Sequence, residues 1–173
     1  MKNRLTSLAL LLTLTFSSQA LELNTIPKTV VLDGDNGGKV TDESFSTAEI
    51  KNKVFIMFYV DPDEKDTNEE FSQALKAESF DRSKFASLAV INLAATWKPN
   101  FVIESILKSK QEEFPHTIYA KDKESVFVKE WDLEDDNSDI LVFNQKGEVI
   151  FYHAGKVDEK MTQDVIALIK SNL

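Results

Sequence analysis

The chain has 173 residues, 42% hydrophobic and 28% charged, which fits one globular domain. Twenty Lys and Arg against twenty-nine Asp and Glu leave a net charge of −9, arguing against direct nucleic-acid binding, which needs a basic surface to displace phosphate counterions. There is no cysteine, so thiol–disulfide exchange, thiol peroxidase chemistry, cysteine-based zinc sites and a lipidated cysteine anchor are excluded, and two histidines are too few for a multi-histidine metal centre.

Lys2 and Arg4 precede an apolar run from Leu5 to Phe16, and Ser18-Gln19-Ala20 puts small residues at the −3 and −1 positions of a cleavage site. This is the pattern of a secretory signal peptide, residues 1–20, cleaved after Ala20. The apolar run is shorter than the roughly 20 residues of a membrane span. The expected product is a periplasmic domain over 21–173 with no stable membrane insertion. Loss of Lys2 and Arg4 leaves 18 basic and 29 acidic residues, a charge of −11. A cysteine-free chain suits an oxidising compartment, where stray thiols pair.

Thr29 to Leu32 reads as a short strand, followed by the turn-rich Asp33-Gly34-Asp35-Asn36-Gly37-Gly38. Lys53 to Val60 is a continuous apolar, β-branched and aromatic run, as in a strand buried on both faces. After Asp61-Pro62-Asp63, Thr67 and Glu70 have capping-box spacing, and Phe71, Ala74, Leu75 and Glu78 mark the stripe of a helix. Leu88 to Leu93 is the next strand. Pro99 can open a helix whose expected core face is Phe101, Val102, Ile106 and Leu107. An irregular stretch follows. Ile140 to Phe143 and Val149 to Tyr152 then flank the hairpin turn Asn144-Gln145-Lys146-Gly147, and Met161, Val165, Leu168 and Ile169 define a last amphipathic helix. A right-handed crossover sets strand 53–60 parallel to strand 88–93. The expected fold class is α/β, thioredoxin-like: a central mixed β-sheet flanked by helices on both faces.

Residues 139–173 resemble the closing β-β-α unit of thioredoxin-like proteins. Ala95-Thr96-Trp97-Lys98-Pro99-Asn100, Lys110 to Asp122 with Phe114-Pro115, Trp131-Asp132-Leu133 and Ser138-Asp139 resemble, in order and spacing, the YtfJ family of bacterial periplasmic proteins. The resemblance implies a thioredoxin-like fold behind a signal peptide and no established activity. A transcriptional-regulator role, which has been attached to that family, does not suit a secreted acidic domain without a helix-turn-helix pattern.

A working thioredoxin carries Cys-x-x-Cys in the loop after its first central strand, where a helix N-terminus stabilises the thiolate. The matching loop here is Tyr59 to Asp66, with carboxylates in place of thiols. The position of the usual cis-proline falls at Ser138 or Asp139. On this reading the chain keeps the architecture without the redox chemistry. Adjacent parallel strands bring their C-terminal loops together, so the expected binding surface joins Asp61, Asp63, Glu64 and Asp66 to Thr96, Trp97, Lys98 and Asn100, with Ser138 and Asp139 beside them. Trp97 is either an exposed contact residue or packed beneath its loop.

Three acidic clusters invite a calcium reading: Asp33 to Gly37; Asp61, Asp63 and Asp66; and Glu134, Asp135, Asp136, Asn137 and Asp139. None meets the EF-hand pattern. Counting from Asp33, the sixth residue is Gly38 but the twelfth is Ser44; counting from Asp61, the sixth is Asp66. His153 is expected on a strand face shared with Val149 and Phe151, and His116 sits in a loop with no readable nucleophile partner. No phosphate loop, dinucleotide fingerprint, nucleophile elbow or His-Glu-x-x-His occurs. Trp131 and the phenylalanines read as core. No catalytic residue, metal site or cofactor is assigned. The leading expectation is a non-catalytic module binding a periplasmic protein or peptide; the alternative is a calcium-binding protein or a non-redox enzyme using Asp61, Asp63 and Asp66.

Overall fold

The structure, a computed structural model, describes residues 21–173. The expected signal peptide, residues 1–20, lies outside the described residues. Short strands β1 (Val31–Leu32) and β3 (Phe45–Ser46) pair as an antiparallel ribbon, while β2 (Gly37–Lys39) joins the edge of the main sheet. The run expected as a pure turn therefore contains an edge strand. The reason is steric: Gly37 has φ 133°, and a Cβ there would lie 1.8 Å from the Lys121 carbonyl oxygen.

β4 (Val54–Val60) lies inside the main sheet and is followed by α1 (Glu69–Ala77), the parallel strand β5 (Phe85–Asn92) and α2 (Asn100–Glu113). Next come β6 (Thr117–Asp122), parallel to β5, and α3 (Val126–Trp131). β7 (Ser138–Phe143) runs antiparallel to β4, β8 (Val149–Ala154) antiparallel to β7, and α4 (Glu159–Asn172) closes the chain. The sheet order is β2-β6-β5-β4-β7-β8. Mixed strands with helices on both faces agree with the expected α/β class.

The stretch read as irregular holds two regular elements. β6 (TIYAKD) has few apolar residues and is held by β5 on one side and β2 on the other. α3 has six residues, too few for periodicity to register.

Alternation along the strands splits the core. Met57, Tyr59, Leu88, Val90, Ala120 and Leu141 face α3 and the N-terminal segment, where Phe127 and Trp131 are buried. Val54, Ile56, Ile140 and Val142 face α1 and α4. α2 covers the β6 side through Ile103 and Leu107, 6% and 5% exposed. Its expected core face needs correction. Only Leu107 is buried, while Phe101, Val102 and Ile106 are exposed, because the i, i+4 pair Ile103 and Leu107 meets the sheet and turns the others to solvent.

A β-bulge also corrects the reading of β8. Phe143 pairs with Val149 and Val142 with Phe151, so Val149 packs on the α3 side while Phe151 packs on the α4 side. Val149 and His153 therefore do not share a face.

The expected Thr67–Glu70 capping box is absent. Thr67 Oγ1 donates to Glu64 Oε2 at 2.5 Å, and α1 starts behind Asn68; a capping box forms instead at Ser46 and Glu49. Asn68 is buried. Its Nδ2 donates to Ser138 Oγ (3.0 Å) and the Gly155 carbonyl (3.1 Å), and its Oδ1 accepts from the Val157 amide (2.8 Å). One side chain thus ties the start of α1 to β7 and to the loop before α4. Asn68→Ala is expected to cost about 2–3 kcal/mol, since the partners lose hydrogen bonds inside the protein. Urea unfolding checks this; a loss below about 0.5 kcal/mol, the usual size for a surface change, would rule the tie out.

Candidate functional site

The loops after β4 and β5 meet at the C-terminal end of the parallel strands, as expected. Asp63 joins them: it forms an ion pair with Lys98 and accepts from Thr96 Oγ1 at 2.9 Å. The Lys98 hydrogen bond holds the Asp63 carboxyl below its ordinary pKa, helped by Thr96. Trp97 stands beside this clasp at 87% exposure, so it does not pack beneath its loop. With Phe101 (74% exposed), Val102 and Ile106 it makes an apolar face running from the loop along α2. Asn100 is exposed at the first position of α2.

The other expected residues separate. Asp66 is exposed and pairs with Lys65, and Glu64 accepts from Thr67. Asp61, Ser138 and Asp139 are buried, so they support the loops from beneath and are not part of an accessible surface. Asp61 Oδ1 accepts from the Asp63 amide at 2.7 Å, an Asx turn, and burial raises its pKa against that hydrogen bond. Ser138 meets Asn68. Asp139 Oδ2 accepts from the Glu134 amide at 3.0 Å, while its Oδ1 has no hydrogen-bond partner among the described residues. Burial pushes the Asp139 carboxyl up to about 7. Burial, and then the nearby Asp139, pushes the Tyr152 hydroxyl up to about 12.

Sequence reasoning missed a second polar layer under the same end of the sheet. Asp122, fully buried, accepts from Tyr59 Oη (3.1 Å) and from the amides of Val126 (2.9 Å), Phe127 (3.1 Å) and Glu124 (3.2 Å). It therefore starts α3 and anchors β4. Burial, then Asp122, raises the Tyr59 hydroxyl well above its ordinary range. Asn92 Nδ2 donates to Asp135 Oδ1 at 2.9 Å, and its Oδ1 accepts from Ser125 Oγ at 3.0 Å. A polar residue closing an apolar strand was the available signal for Asn92; Asp122, flanked by Lys121 and Lys123, carried no such signal.

These buried groups meet one another and the backbone, which is an architectural use of polarity. Among the described residues no group of three or more His, Asp or Glu is placed to hold a metal ion. Asp61 accepts from the Asp63 amide while Asp63 and Asp66 pair with Lys98 and Lys65, and Asp139 accepts from the Glu134 amide while Asp135 accepts from Asn92. The calcium alternative gains no support from these arrangements.

The family model described as a bacterial protein of unknown function (YtfJ_HI0045) matches residues 27–172. A protein of Haemophilus influenzae, described as an uncharacterized protein, is 28% identical over 138 residues, covering 78% of this chain and 74% of that protein. Among solved structures, a thiol-disulfide isomerase from Corynebacterium glutamicum matches with a TM-score of 0.58 at 20% identity, covering 90% of this chain and 96% of that one. The exposed lipoprotein thioredoxin Etrx1 of Streptococcus pneumoniae matches at 0.54 and 10%, covering 83% and 99%. The fold is thioredoxin-like, carried by a chain without cysteine.

Proposed function

The chain belongs to the bacterial YtfJ_HI0045 family, and from that fold and the site geometry we propose that it is a non-catalytic periplasmic module binding a protein or peptide. The observation that carries this reading is the apolar face of Trp97 and Phe101, 87% and 74% exposed, beside the Asp63–Lys98 clasp. Large aromatics at that exposure are the residues that dominate interface energetics when covered. The clasp orders the loop before a partner arrives, which lowers the entropy cost of binding. Secretion rests on the signal-peptide pattern of residues 1–20, and no helix among the described residues is long and apolar enough to cross a membrane. The net charge of −9 disfavours nucleic acid as the partner.

Photo-crosslinking in cells tests the reading. A benzophenone side chain at position 101 is expected to give one discrete protein adduct, with none from position 160 on α4. Trp97→Ala should reduce that adduct by about tenfold, the loss of one moderate hot spot. Equal adducts from both positions, or none from position 101, would overturn it.

A further inference from the structure

α1 leans on α4 and α2 on β6, so the two helices stand apart over the middle of the sheet. Between them runs a groove of about 700 Å³, within the size range of small-molecule sites. Its floor is the α2-side face of β5, where Ser87 and Ala89 are small and half-buried, widened by Phe58 and Tyr119. From Phe85 to Ile91 the floor is about 20 Å long at ~3.3 Å per residue.

The charge around the groove opposes that of the molecule. Five basic and two acidic side chains line it, in a chain with twenty basic and twenty-nine acidic residues. Four of the five basic groups gather at one end, while Lys65 lies at the other and pairs with Asp66. Lys76 on α1 and Lys110 on α2 both lie over the Phe114 ring, 4.9 and 5.2 Å from its centre, and Lys53 Nζ donates to the Arg82 carbonyl at 2.7 Å. Lys110 pairs with Glu113 at 2.9 Å, whereas neither Lys76 nor Arg82 is in an ion pair with a described carboxylate. An apolar trough ending in a cluster of cations, Lys76 and Arg82 among them outside any ion pair with a described carboxylate, fits a chain-like apolar body with a single anionic head.

We propose that this groove binds a long-chain fatty carboxylate, its chain along Ala89 and Ile91 and its head among Lys76, Lys110 and Arg82. The trough is long enough for an extended chain of about a dozen carbons. The groove meets the partner face at Ile106 but includes neither Trp97 nor Phe101, so its test does not depend on the crosslinking result.

The test is calorimetric titration of protein purified after expression of the full chain, with dodecanoate as the probe. Dodecanoate is expected to bind at a ratio of one, and dodecyl maltoside and dodecyltrimethylammonium at least about tenfold more weakly. Ala89→Phe, which fills the floor, should abolish binding. Lys76→Glu with Lys110→Glu, on exposed helix positions, should weaken dodecanoate by about tenfold and shift preference toward dodecyltrimethylammonium; this pair keeps the proposal testable if Ala89→Phe misfolds. Equal binding of the three detergents, unchanged binding in the Lys pair, or no dodecanoate heat at about 1 mM, a concentration that reveals even weak sites, would overturn it.

Discussion

Replacing Asp122 with alanine is expected to lower stability by about 3–5 kcal/mol, the largest effect of any single polar substitution proposed for this chain. The side chain is fully buried and serves four donors: the Tyr59 hydroxyl and the amides of Glu124, Val126 and Phe127. Alanine leaves all four without that acceptor beneath a packed sheet. At about 1 kcal/mol net per hydrogen bond, and more for donors that water cannot reach, the sum lies in that range. Two further variants divide the effect. Tyr59→Phe removes one bond and should cost about 1 kcal/mol. Asp122→Asn keeps one acceptor oxygen but turns an amide toward donors, so its cost should fall between the other two. Urea unfolding gives all three, provided the slope with denaturant is unchanged. A loss below about 1 kcal/mol for Asp122→Ala, no more than one ordinary hydrogen bond, would mean that α3 is held by its apolar packing alone.

The second large effect is on pH dependence. Asp139 is fully buried, and its carboxyl is pushed from 3.8 up to about 7 by burial, against the pull of the Glu134 amide. The folded chain then holds a proton that the unfolded chain releases between those two values. Stability from this group is therefore fully present below pH 3.8, falls as pH rises toward 7, and is flat above. The span is on the order of 4 kcal/mol, because a proton held across each pH unit between those values is worth about 1.4 kcal/mol. Asp139→Asn removes the titration while keeping an oxygen for the Glu134 amide. The difference in unfolding free energy, variant minus parent, should rise from pH 5 to pH 8. The charged and titratable groups facing Asp139 are Glu134, Tyr152 and the cross-strand partner Tyr59, and both tyrosines titrate well above this window. Asp63 and Asp81 act with the opposite sign, because their pKa values are lowered, but both are solvent-exposed and cancel in the difference. Parallel pH profiles for parent and variant would sink the assignment.

Much of the frame was legible without coordinates. KVFIMFYV and the apolar runs flanking the hairpin turn read as strands from their composition, and the loops after β4 and β5 followed from the crossover rule, which put Asp63, Thr96, Trp97 and Lys98 into one neighbourhood. The elements that escaped were those whose stability comes from their neighbours. β6 is half polar and survives by pairing on both sides. β2 depends on a glycine close against Lys121. α3 is one and a half turns long and starts on a side chain from the strand before it. The orientation of α2 escaped for a related reason. Its apolar residues at 101, 102, 103, 106 and 107 cover more than one face, and only the sheet beneath selects Ile103 and Leu107.

The same division holds for the site. Composition and local pattern alone determined that this chain does no thiol chemistry, that it is acidic, and that its family fold is α/β, because residue identity and short-range periodicity carry that information. Only the tertiary structure decided which polar residues are scaffold and which are surface. Asp61, Asp139 and Asp63 are the same residue type, in turn-rich segments of similar composition; burial against Asn137 and Glu134 hides the first two, and Lys98, from a loop 35 residues away, claims the third. The groove between α1 and α2 was beyond local reading for the same reason: its cations come from four separate segments, and their convergence depends on how helices settle on a sheet rather than on any run of sequence.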